Sequence, residues 1–96
     1  MKKGCDMKLR TKRISKSHYR ELMYFCMQYG EKKIAGKKED CKLIEDTAAA
    51  VDKTIGTYIM KNVTEGIPFE YMQVPCGRNQ FYKMREEFFY RLSLMR

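Results

Sequence analysis

The hydrophobic positions of this chain recur at steps of three and four residues, which is the spacing of one face of an α-helix. The first such stretch predicts a helix over residues 18–29, with Ser17 as its N-terminal cap and Gly30 ending it in the left-handed conformation. Its apolar stripe comprises Tyr19, Leu22, Met23, Cys26 and Met27. Further aromatic residues beside that stripe predict that the helix touches two neighbours or a partner.

The middle of the chain predicts a loop and two more helices. Residues 32–40 hold four lysines and one glycine, which is typical of a polar loop. A helical period then restarts over residues 43–51, and Glu39 and Asp40 favour the first turn of that helix. The next period, over residues 52–63, predicts a separate helix that Asp52 caps and Gly66 ends.

The last third of the chain has the pattern of a short helix, a turn and a longer helix. Pro68 suits the first turn of the short helix, and Pro75 cannot lie inside a helix, so backbone chemistry sets the turn. Gly77 then caps the long helix. The spacing predicts a helix-turn-helix over residues 67–95. The core-facing residues of the long helix are Phe81, Met84, Phe88, Leu92 and Met95.

A length of 96 residues accommodates one domain with one core. Together with the helical periods, it predicts an all-α fold: a small single-domain helical bundle of four to five helices that ends in the helix-turn-helix. We expect residues 17–96 to form this domain and residues 1–16 to form a basic, flexible arm. The arm is either a solvated tail or a segment that becomes ordered on phosphate.

The formal net charge of +8 is concentrated at the two ends of the chain. Residues 1–16 hold seven Lys or Arg against one Asp, and residues 78–96 hold five against two acidic residues. This distribution suits a protein that grips a polyanion, because each neutralised phosphate releases counterions. We therefore expect duplex DNA as the partner, with Lys12 and Arg13 among the phosphate contacts of the arm.

The exposed face of the long helix begins with residue types suited to the major groove. Arg pairs with guanine, and Asn or Gln with adenine, through two hydrogen bonds each, while Lys, Tyr and the helix N-terminus meet phosphates. The predicted nucleic-acid-binding residues of this recognition helix are Arg78, Asn79, Gln80, Tyr82 and Lys83. Glu86 and Glu87 limit the contact to the first turns. The alternative is an ordinary solvated helix face.

Residues 67–93 resemble the end of small phage and mobile-element proteins, the ArpU-type and sigma-factor region-four-like regulators, and residues 44–66 do so loosely. The positions that match the start of the families' recognition helix are Val74, Gly77, Arg78, Asn79, Gln80, Phe81, Tyr82 and Lys83. Gly77 stands where those families usually have Ser or Thr, and Glu86 and Glu87 stand where basic residues are usual. The resemblance implies a helix-turn-helix regulator of transcription in a prophage or integrated element, acting beside the core polymerase.

The remaining chemistry argues against a metal site and an enzyme. Four unevenly spaced cysteines and a single histidine do not predict a zinc site, and no constellation of catalytic or cofactor-binding residues is recognisable. The first residues lack the apolar stretch of a signal peptide, and no apolar run approaches the ~20 residues of a membrane span. We expect a soluble, cytoplasmic protein with reduced cysteines.

A protein-binding module is the rival interpretation, for example a phage-encoded inhibitor that covers another protein's nucleic-acid site. Residues 88–90 are three consecutive aromatics, too continuous for one core-facing stripe, so at least one ring is expected to face outward. The candidate partner-binding residues are Tyr24, Tyr29, Phe89 and Tyr90. A homodimer, a polymerase or another nucleic-acid-binding complex would each fit this pattern.

Overall fold

Five α-helices and one 3-10 turn follow one another along residues 14–95, the part of the chain that this computed structural model describes. The helices are α1 (Lys16–Met27), α2 (Tyr29–Ile34), α3 (Lys38–Val51), α4 (Ile55–Glu65) and α5 (Arg78–Met95), and the 3-10 turn spans Phe69–Tyr71. These residues contain no strand. The predicted all-α bundle of four to five helices is confirmed.

Helix α1 begins two residues earlier than the sequence predicted. Ser15, and not Ser17, is its cap, and the Ser15 hydroxyl oxygen accepts a hydrogen bond from the His18 amide at 3.2 Å. The reason is Ile14, which directly precedes the cap and is buried in the core. An apolar residue at that position commonly fixes the entry of the chain into a helix. The last residues of the predicted arm therefore belong to the folded domain.

The predicted stop at Gly30 and the predicted loop over residues 32–40 are wrong. Helix α1 ends with Gln28 as its C-terminal cap, and Gly30 lies inside α2, while Gly36 adopts the left-handed conformation with φ 79°. Helix α3 then begins at Lys38, earlier than its apolar period indicated. The extra turn carries Cys41, which is buried, so packing lengthens the helix beyond its regular stripe.

The break between α3 and α4 lies where the sequence predicted it. The Asp52 carboxylate accepts hydrogen bonds from the amides of Thr54 and Ile55, each at 2.8 Å, and so satisfies two donors at the start of α4. Gly66, with φ 72°, ends α4 as predicted. The two helices also approach closely: a Cβ at Gly56 would lie 2.5 Å from the Ala48 carbonyl oxygen.

Helix α5 packs against α1, α3 and α4 and supplies the centre of the core. Its fully buried side chains are Phe81, Phe88, Phe89 and Leu92. The prediction that Phe81, Phe88 and Leu92 face the core is confirmed. Met84 is only half-buried. The prediction that Met95 faces the core is wrong, because 62% of this residue is exposed. The buried face is wider than one stripe because neighbours cover α5 on more than one side.

The prediction that Phe89 contacts a partner is also wrong. Its ring is fully buried and packs edge-on against Tyr19, with centroids 5.0 Å apart, and against Phe88 at 5.1 Å. Phe89 is therefore a core residue that joins α5 to α1, and it offers no surface to a partner.

Truncating Phe88 to Ala should lower the free energy of unfolding by roughly 3–5 kcal/mol, because it removes a fully buried ring and leaves a cavity. The measurement is urea denaturation followed by circular dichroism. Leu94→Ala is the matched control on the same helix, since Leu94 is 68% exposed and should change the value by less than about 0.5 kcal/mol. Equal effects of the two variants would show that the buried face of α5 is misassigned.

The two helical glycines should respond to Ala in opposite directions. Gly56→Ala forces α3 and α4 apart and should destabilise the fold by about 1–3 kcal/mol. Gly30→Ala meets nothing within 4 Å, and it should stabilise the fold by roughly 0.5–1 kcal/mol because Ala favours the helix. Thermal denaturation of both variants compares them directly, and a stabilising Gly56→Ala would contradict the close packing.

Candidate nucleic-acid interface

The segment before α5 is anchored by aromatic packing. The predicted short α-helix over residues 68–72 is not formed, because only a single 3-10 turn, Phe69–Tyr71, lies there. The predicted helix-turn-helix over residues 67–95 is therefore wrong in its first helix, while its second helix is present. The ring of Phe69, in that turn, packs against Phe81 with centroids 5.2 Å apart and against Tyr82 at 6.4 Å. Gln73 then adopts φ 54°, which reverses the chain and ends the turn. The packing of Phe69 against Phe81 and Tyr82 therefore ties the 3-10 turn to the first turns of α5.

Helix α5 begins at Arg78 as predicted, with the Phe81 amide donating to the Gly77 carbonyl at 2.9 Å. Gly77 has no side-chain oxygen to accept hydrogen bonds from the amides of the first turn. Negative charge at such an end is favoured by the helix dipole. A carboxylate is present close to this end, since Glu70 forms an ion pair with Arg78.

Four of the predicted DNA-binding side chains of α5 are exposed, and we refer to them as the polar face of α5. They are Arg78, Asn79, Gln80 and Lys83. Asn79 and Lys83 are four residues apart and share one side of the helix, with Gln80 beside them. Tyr82 is half-buried, because its ring belongs to the cluster with Phe69 and Phe81. Its predicted phosphate contact would have to use the exposed part of the side chain.

The guanidinium of Arg78 is held by two partners. It donates a hydrogen bond from Nη1 to the Glu70 carboxylate and lies 5.4 Å above the centre of the Tyr82 ring. The hydrogen bond from Arg78 lowers the pKa of Glu70, and the same bond raises the pKa of Arg78. Glu70 therefore belongs to the candidate site, although no sequence pattern identified it. The two residues are eight apart on different elements, so no helical spacing relates them.

Arg85 is the second residue that the sequence pattern did not identify. Its Nη1 donates to the Tyr19 hydroxyl at 3.1 Å, and its guanidinium lies 5.8 Å from the Tyr82 ring centre and 5.3 Å from that of Phe89. These contacts tie α5 to α1. Arg78 and Arg85 thus flank Tyr82, the first exposed and the second half-buried, so Arg85 supports the site from within the fold.

The positive character of α5 is confined to its first turns. Glu87 forms an ion pair with Arg91 at 3.1 Å, and both lie on the later part of the helix. Lys12 and Arg13, the predicted phosphate contacts of the arm, lie outside the described residues.

The predicted partner-binding tyrosines differ in their surroundings. Tyr24 is 65% exposed, whereas Tyr29 and Tyr90 are half-buried. The Tyr29 hydroxyl donates to Glu45, and this bond raises the pKa of Tyr29. Tyr24 has an exposed apolar neighbour one turn away, Met27, which is 59% exposed.

The described residues show neither a metal centre nor a membrane span. Within residues 14–95, no three His, Cys, Asp or Glu side chains are grouped so as to hold a metal ion. None of the five helices is long and apolar enough to cross a bilayer. The thiols of Cys41 and Cys76 are free, and burial raises the pKa of the Cys76 thiol.

Comparison with models of protein families, with curated proteins and with solved structures finds no match for this chain. The resemblance of residues 67–93 to ArpU-type and region-four-like regulators therefore stays an expectation from the sequence. The chemistry of the surface itself is the basis on which a function can be inferred.

Proposed function

We propose that the protein binds duplex DNA in a sequence-specific manner and that α5, from Arg78 onward, is its recognition helix. One observation carries the proposal: the four side chains of the polar face are exposed on the first two turns of α5, a helix whose buried side chains form the centre of the core. A base-reading surface needs such support, because hydrogen bonds to bases require side chains on a rigid element.

The residue types on this face divide between reading and holding DNA. Arg78 suits the O6 and N7 acceptors of guanine, and Asn79 and Gln80 suit the N6 and N7 groups of adenine. Lys83, with its compact ammonium, suits a phosphate oxygen. The start of a helix in the major groove is where such residues reach base edges.

Charge supports the same proposal. Residues 1–16 carry seven Lys or Arg against one Asp, and residues 78–96 carry five against two Glu. In the second segment Arg78 and Arg91 form ion pairs with Glu70 and Glu87. Phosphate contacts from two basic ends would fix the register of α5 on the duplex without reading its sequence. The narrower role, regulation of transcription in a phage or mobile element beside the polymerase, rests on the sequence resemblance alone.

A second candidate, a protein-binding module, is favoured by the exposure of Tyr24 and Met27 on α1. Exposed aromatic and methionine side chains are enriched at protein interfaces. In this case a second copy of the chain or a foreign protein would occupy the α1 surface. Tyr24→Ala should then weaken that association and leave any binding of DNA unchanged.

Affinity for duplex DNA should fall steeply with salt if the basic ends hold phosphates. Replacing both Lys12 and Arg13 with Ala should flatten the slope of log K against log salt by about 0.9 for each phosphate that is no longer neutralised. Lys42→Ala is the control, because Lys42 is exposed on α3 and already forms an ion pair with Asp46. Fluorescence anisotropy titrations at several salt concentrations measure the slope, and an affinity independent of salt would refute the proposal.

Arg78→Ala should reduce the sequence specificity of DNA binding, whereas Lys83→Ala should reduce only its affinity. Removal of the Arg78 guanidinium should cost about 1–3 kcal/mol of discrimination at one base position, because it eliminates a two-bond interaction with a base. Removal of the Lys83 ammonium should weaken binding to all duplexes alike. Selection from a random duplex pool, followed by titration of single-base variants, separates the two effects. Full sequence preference in Arg78→Ala would exclude base reading by this residue.

A further inference from the structure

We infer that Glu70 determines the specificity of this site by directing Arg78 to a base edge and away from phosphates. The inference rests on the proposed function and adds a residue that no sequence pattern identified. It concerns one ion pair, between the 3-10 turn and the first turn of α5. Arg78 can donate hydrogen bonds to two kinds of acceptor in DNA: the uncharged edge of guanine and the charged phosphate oxygens of the DNA backbone.

The backbone at Glu70 is anchored by the preceding residue in the chain. Phe69 packs against Phe81, which is fully buried, and so anchors the 3-10 turn to α5. The backbone of the turn is closed by the Tyr71 amide, which donates to the Pro68 carbonyl at 3.0 Å. Glu70 therefore stands on a supported element beside Arg78, in contrast to a carboxylate on a free loop.

The Arg78 guanidinium is oriented by its neighbours and still has free hydrogen-bond donors. Glu70 binds Nη1 and the Tyr82 ring lies against the planar group, yet 56% of the side chain remains exposed. A guanidinium has five N–H donors, so donors remain for a ligand. Because its orientation is set before binding, the entropic cost of ordering the side chain on a guanine edge is smaller.

A phosphate bound at Arg78 would be attracted by the guanidinium but repelled by the neighbouring Glu70 carboxylate. Its negative oxygens would lie beside the Glu70 carboxylate, which is ionised at neutral pH like any exposed glutamate. Like charges at that separation repel, whereas the O6 and N7 acceptors of guanine carry no net charge. Glu70 therefore disfavours the wrong acceptor more than the right one, which is how a repulsive group creates specificity.

Lys83, five residues from Arg78 and on another side of α5, provides the contrast. Among the described residues it forms no ion pair, and its exposed ammonium suits a phosphate. The two cations of the polar face are thus separated by their environment into one that reads a base and one that holds the backbone.

The test compares Glu70→Gln with Glu31→Gln, since both replace an exposed carboxylate by an amide and raise the net charge equally. Each protein is titrated against the duplex enriched by wild-type selection and against a scrambled duplex of equal length. Glu70→Gln should bind the scrambled duplex roughly two- to fivefold tighter, with a smaller gain for the enriched one, so that the specificity ratio falls. Glu31→Gln should change both affinities by one common factor and keep the ratio.

A double variant shows whether Glu70 acts through Arg78. In the Arg78→Ala background, Glu70→Gln should leave the specificity ratio unchanged, because the group that it directs is gone. Thermal denaturation of every variant checks that the fold is retained.

The outcomes separate the inference from the proposal beneath it. A wild-type protein that shows no salt-dependent binding to any duplex would overturn the proposed function together with the inference. Sequence-specific binding in which Glu70→Gln and Glu31→Gln keep the same ratio would overturn only the role of Glu70. Equal wild-type binding to both duplexes would overturn the role of Glu70 and the sequence specificity of the proposed function, while the binding of DNA would stand.

Discussion

The burial of the apolar face of α5 is the interaction on which the rest of the structure depends. Phe81, Phe88, Phe89 and Leu92 are fully buried and meet α1, α3 and α4, so this one helix closes the core. Burying large aromatic and aliphatic side chains is the dominant favourable contribution in a small domain. The same burial fixes the rotation of α5 about its axis, and the exposure of Asn79, Gln80 and Lys83 follows from that rotation.

The chemistry of single residues predicted several features of the fold correctly, because it acts locally. Asp52 caps α4 and Gly66 ends it, and both roles need only the backbone of the adjacent turn. The choice of Ser15 over Ser17, by contrast, depends on whether Ile14 reaches the core. The width of the buried face on α5 likewise depends on how many helices surround it, and for this reason Phe89 was misjudged.

In the candidate site, too, some features follow from local sequence and others from the tertiary structure. Periodicity predicted which residues of α5 face outward, since one buried face of a helix defines the opposite one. The pairing of Arg78 with Glu70 was not predictable, because it requires the 3-10 turn and the reversal at Gln73, where φ is 54°. Contacts of this kind come from the path of the chain between elements, which hydrophobic spacing does not encode.

The close contact between α3 and α4 has a consequence for folding kinetics. The two helices are joined by only three residues, and Gly56 lets their backbones meet at Ala48. A short connection costs little entropy on closure, and helical hairpins with local contacts form quickly. We therefore expect this hairpin to hold the earliest native contacts of the folding transition state, with α5, the last element along the chain, docking onto a template that is already assembled.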